Sequence, residues 1–60
     1  MTKEEILAKS KWNKDTAYVD QITFIGDDGY QVSVPRTKEG MYRREAEETL
    51  VEIVQDHYSL

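Results

Sequence analysis

His57 is the single histidine, and cysteine is absent, so little in this chain could act as a nucleophile or base near neutral pH. A catalytic histidine needs a nucleophile and an orienting acid within hydrogen-bond reach. Asp56 is its neighbour in sequence, but consecutive helical side chains diverge. The expected role of His57 is structural, at a helix end where a protonated imidazole favours the carbonyl termini. One histidine and no thiol also exclude multi-histidine and thiolate metal sites. Asp27 and Asp28 stand between Gly26 and Gly29. A calcium loop needs oxygen ligands at alternate positions and a distal glutamate, so these two adjacent carboxylates read as turn residues. No glycine-rich phosphate loop is present. The expectation is a non-enzymatic protein without metal or cofactor.

Charge is the remaining chemistry. Arg36, Lys38, Arg43 and Arg44 form a basic cluster, to which Lys9, Lys11, Trp12 and Lys14 could be added in space. Such a patch suits nucleic acid, although the chain's net charge of −4 opposes long-range attraction to phosphates. Glu45, Glu48, Glu52 and Asp56, with Glu47 beside them, recur at helical spacing as an acidic stripe. The ordinary origin of such a stripe is a solvated helix face. Its functional reading is a contact surface for a basic protein, and in its sharpest version a decoy imitating duplex phosphates.

The elements that must position these groups follow from pattern. Thr2-Lys3-Glu4-Glu5 has the form of a capping box, which opens a short helix over about residues 3–10. Trp12 to Asp15 reads as a loop. Residues 16–25 are rich in strand formers, and Tyr30 to Val34 alternate apolar and polar. A two-residue loop at Asp28-Gly29 would put Phe24 and Val32 on opposite faces. A three-residue loop, with Gly29 at positive φ in a bulge, gathers Ile22, Phe24, Tyr30, Val32 and Val34 on one face, and this register is expected. Gly26, as the first turn residue, is expected to accept alanine more easily than Gly29 accepts valine. Pro35 ends the second strand or lies at an edge. Thr37 is the candidate cap of a long last helix, from about Met41 to His57. Its apolar arc holds Tyr42, Ala46, Leu50, Ile53, Val54 and His57, and Val51 and Tyr58 widen it.

The expected fold is a single small α+β domain over residues 1–60. Its order is α-β-β-α: a short N-terminal helix, a bulged β-hairpin, and a long amphipathic C-terminal helix packed on the sheet. A chain of 60 residues without disulfides has a small core, and a second subunit is one way to supplement it. The surplus apolar arc of Leu50, Val51, Val54 and Tyr58, with unpaired strand edges, points to a homodimer. No apolar run approaches a membrane span, and Met1 to Glu5 lack the apolar core of a signal peptide, so a cytoplasmic location is expected. In size and composition the chain resembles small cysteine-free proteins of bacteria and their phages, without any motif in common. The expected function is an acidic protein-interaction module or inhibitor whose partner is basic or DNA-binding. The alternative is a nucleic-acid-binding protein using residues 36–44.

Overall fold

The computed structural model describes residues 1–36 and 40–59. Thr37, the expected helix cap, and Lys38 of the basic cluster lie outside the described residues. The architecture is α+β in two layers, in the order α-β-β-β-α rather than the expected α-β-β-α. A three-stranded antiparallel sheet of order β1-β2-β3 carries a long helix on one face.

The capping box forms. The Glu5 amide donates to the Thr2 hydroxyl at 3.2 Å, and the Thr2 amide donates to Glu5 Oε1 at 3.1 Å. Helix α1 (Lys3–Ala8) stops two residues before the expected end. Ser10 Oγ donates to the Ile6 carbonyl at 2.7 Å, beside the Lys9 amide that the same oxygen accepts at 3.2 Å.

The extra strand is β1 (Ser10–Asn13), a segment expected to finish the helix and begin a loop. Only Trp12 is apolar in it, so its alternation is faint in sequence. Ser10 and Trp12 nevertheless face inward, half-buried, while Lys11 and Asn13 face solvent. Pairing of Ser10 with Phe24 and Trp12 with Ile22 gives the free side of the next strand a partner. That next strand, β2 (Asp20–Ile25), is shorter than the expected residues 16–25, and β3 (Gln31–Arg36) runs beyond Val34 through Pro35.

The bulged register is the observed one. Phe24 stands opposite Val32, and Ile22 opposite Val34. The Gly26 amide donates to the Tyr30 carbonyl at 2.8 Å, so Asp27-Asp28-Gly29 is the three-residue connection, and Gly29 has φ +90°. Alternation from the Gly26–Tyr30 bond turns the backbone of Gln31, Ser33 and Pro35 away from β2. Pro35 therefore costs the ladder no hydrogen bond and blunts the outer edge of the sheet.

Helix α2 (Arg43–Tyr58) follows an extended N-cap at Tyr42, which makes no side-chain capping bond. Its buried stripe is Ala46, Leu50, Val51 and Val54, joined with Ile6, Ile22, Phe24 and Val34 in one core. The stripe is rotated from the expected arc: Tyr42 is 71% exposed and Ile53 37%. Helix α1 lies against α2, and β1 widens the sheet, so the chain itself covers the face that a bare hairpin would leave open. Leu50, Val51 and Val54, assigned above to a dimer contact, are thus spent in this chain's own core, and Tyr58 is half-buried.

Two expectations follow. Val51→Glu should abolish the cooperative melt at every protein concentration, because it buries a charge in the core. A folded Val51→Glu monomer formed by dissociation of a wild-type dimer would instead place Val51 at a subunit contact. Gly26 has its own steric requirement, beyond that of a first turn residue. A Cβ there would lie 2.5 Å from Tyr58 Oη and 2.8 Å from Asp28 Oδ1. Gly26→Ala should cost about 1–3 kcal/mol, the usual range for overpacking, and should cost less when Tyr58→Phe is already in place. Strictly additive losses in a urea double-mutant cycle would rule out that contact as the cause.

Candidate functional site

Along β2 the inward positions are Asp20, Ile22 and Phe24. The first is a carboxylate, 5% exposed, at the end of an otherwise apolar row. A buried charge is tolerated only with partners. The hairpin register places Arg36 directly opposite. Arg36 Nε donates to Asp20 Oδ1 at 2.6 Å and its Nη2 to Oδ2 at 3.3 Å. Arg43, the first residue of α2, adds a bond from Nη2 to Oδ2 at 3.1 Å. The Arg36 hydrogen bond, assisted by its charge and by Arg43, holds the Asp20 carboxyl below its ordinary pKa against the opposing effect of burial. The Arg43 guanidinium also lies 4.8 Å from the centre of the Trp12 ring, within cation–π range. Trp12 Nε1 in turn donates to Glu47 Oε2 at 3.4 Å. One clamp therefore ties β1, β2, β3 and α2.

A second cluster joins the far end of α2 to the β2–β3 turn. Tyr58 Oη donates to Asp28 Oδ1 at 2.7 Å, and the same oxygen accepts the Tyr30 amide at 3.1 Å. These bonds lower the Asp28 pKa and push the Tyr58 hydroxyl up to about 12. His57 stacks on Tyr30 with ring centres 3.6 Å apart. Lys9 reaches Asp27 at 2.6 Å. Asp27 and Asp28 thus act as turn and anchoring residues. Among the described residues, no group of three His, Cys, Asp or Glu side chains could hold a metal ion.

The structure divides the expected basic cluster. Arg36 and Arg43 turn to Asp20, with 25% and 60% of their side chains exposed. Arg44 stays in solvent and reaches only Glu48, at 4.0 Å. The expected acidic stripe lies on the solvent face of α2. Glu45, Glu48, Glu52 and Asp56 are all exposed, while Glu47 turns aside to Trp12. Among the described residues Glu45, Glu52 and Asp56 form no ion pair.

The Asp20 clamp was overlooked in the sequence although its signal was there. Extending the register that pairs Phe24 with Val32 leads through Ile22 and Val34 to Asp20 and Arg36. The Trp12–Glu47 bond had no comparable signal, because β1 itself was not expected. Comparison with protein-family models, with curated proteins and with solved structures finds no match to this chain. No helix among the described residues is long and apolar enough to cross a membrane.

The lowered pKa of Asp20 fixes a sign. Ionised Asp20 stabilises the fold above its unfolded pKa, near 3.9, and that contribution is lost as pH falls below this value through the folded pKa. Urea midpoints measured from pH 7 down to pH 2 should show a steep acid limb in the wild type. Asp20→Asn should lower the midpoint at pH 7 and flatten the limb. An unchanged limb would mean that the clamp adds nothing to acid sensitivity.

Proposed function

We propose that this protein is a non-enzymatic interaction module whose acidic α2 face binds a basic partner protein. One observation supports this above the others. Asp20 draws Arg36 and Arg43 inward, while Glu45, Glu52 and Asp56 remain in solvent without a counter-ion among the described residues. The charge that an approaching macromolecule meets on this face is negative. Positions 45, 48, 52 and 56 rise along the helix in steps of roughly 4.5–6 Å. A row of that kind suits a lysine- or arginine-rich arm, and its narrower use would be as a decoy for a DNA-binding surface. Exposed Tyr42 and Ile53 flank the row and offer apolar contact beside the charges.

The nucleic-acid alternative draws on the same basic cluster with fewer free cations. Strong duplex binding uses a broad set of phosphate contacts. Among the described residues, Asp20 neutralises one charge of the Arg36–Arg43 pair, so the cluster presents fewer net cations than its sequence suggests. The partner surface on α2 is complete within one chain and needs no second copy.

The test pairs two double variants that spare the clamp. Wild-type protein immobilised and exposed to host lysate, with and without nuclease treatment, should retain a basic protein in both. For the purified pair, Glu45→Gln with Glu52→Gln should weaken binding by roughly 2–30-fold if each exposed contact contributes about 0.2–1 kcal/mol. Raising salt from low to high should weaken the wild-type complex in the same direction. Lys14→Gln with Arg44→Gln should leave it intact or tighten it. Retention of nucleic acid instead, lost in the Lys14/Arg44 variant, would overturn the reading.

A further inference from the structure

We propose that the concavity beside the Asp20 clamp is a binding site for a small phosphomonoester. This site lies away from the acidic row of α2 and does not depend on the partner reading. The cavity has a volume of about 360 Å³, and Trp12, Lys14, Val19, Asp20, Arg36 and Arg43 contribute to its wall. That volume suits a small organic ligand and exceeds what a bare anion needs.

Charge selects the class of ligand. Among the described residues, three cationic side chains meet one carboxylate in the wall, an excess of two positive charges. Glu47 holds the indole N–H from outside the wall. A phosphomonoester carries about −1.5 to −2 near pH 7, a close match, whereas a carboxylate carries half of that. Asp20 positions the arginines without exhausting them. A guanidinium has five N–H donors in a fixed fork. Arg43 uses one on Asp20 and Arg36 uses two. The remaining donors of Arg43 belong to a side chain that is 60% exposed. The buried carboxylate thus makes a preorganised cationic corner, a geometry that Arg supplies for phosphate. Trp12 and Val19 add an apolar wall for the organic part of the ligand. Its cationic side chains converge on one concavity rather than along an extended strip, which separates it from a duplex-binding surface.

Trp12 is the only tryptophan, so its fluorescence reports on this cavity directly. Phenyl phosphate, phenol and inorganic phosphate are titrated against the whole chain at fixed ionic strength, with calorimetry in parallel. Phenyl phosphate should give a saturable change, phenol none, and inorganic phosphate a weaker one. Lys14→Gln, which leaves the clamp whole, should weaken phenyl phosphate by up to about fivefold, the upper end for one exposed ion pair. Affinity should also fall as pH drops below about 6, where the ester becomes a monoanion. No saturable response to phenyl phosphate, or equal affinity in folded Lys14→Gln, overturns the site. Inorganic phosphate binding as tightly as phenyl phosphate overturns the role given to the apolar wall.

Discussion

A carboxylate at the inward end of β2 constrains most of the remaining architecture. Asp20 occupies a position that strand alternation assigns to the core, and a buried charge without partners would oppose folding. Arg36 answers it across the ladder, which requires β3 to continue past Pro35. Arg43 answers it from the opposite layer, at the first residue of α2, and so agrees with the rotation that the buried stripe gives the helix. The rotation puts Leu50 and Val51 inward and Glu45, Glu52 and Asp56 outward. Removing one partner from such a cluster costs more than the pair contributes, because the other charge stays buried. The clamp is therefore better understood as specifying one arrangement of sheet and helix than as adding a large stabilisation.

The opposite end of α2 is fixed by different means. Tyr58 spans to Asp28 in the hairpin turn, and Tyr30, Phe24 and His57 form an aromatic cluster around it. Gly26 permits this approach, since any side chain there would collide with the Tyr58 hydroxyl. Among the described residues, a core of eight buried apolar side chains is small for two layers. Anchoring the long helix at both ends to the same hairpin compensates for that, because fewer relative motions remain open to it. The N-terminal end of α2 has no side-chain cap, and the bond from Arg43 to Asp20 ties that end to the sheet without satisfying its free amides.

The parts legible in the sequence were those governed by local rules with strong signals. The capping box at Thr2 and the bulge at Gly29 each depend on a few adjacent residues and one steric or hydrogen-bonding requirement. The hairpin register followed because only one offset gathers Phe24, Ile22, Val32 and Val34. Strand β1 was missed because Ser10, Lys11 and Asn13 have little strand preference. Their conformation is imposed by pairing with β2, a tertiary effect that propensity cannot report. The face of α2 was misjudged for a related reason. Tyr42 and Ile53 are apolar enough to draw a helical-wheel estimate toward themselves, yet the helix packs with Val51 in the core and both of them outward. Of the candidate site, the acidic row was legible, and the withdrawal of Arg36 and Arg43 from the basic cluster was not inferred.

The acidic row also conflicts with the helix that carries it, and this conflict supports the partner reading. Glu48, Glu52 and Asp56 follow one another at i,i+4 spacing, where like charges repel. Glu52 and Asp56 lie in the C-terminal half of α2, toward the negative end of its dipole, where cations are favoured. Arg44 offsets one member only, at a distance and exposure that give an ion pair little weight. A face shaped by stability alone would alternate signs at this spacing, as Arg44 and Glu48 do once. The later turns do not, so packing of Leu50, Val51 and Val54 must hold the helix against its own surface charge. Local rules broken without a local gain are characteristic of surfaces selected for contact with something else. A basic partner would relieve both the repulsion along the row and the unfavourable interaction with the helix end, so its binding would stabilise the part of α2 that the sequence leaves strained.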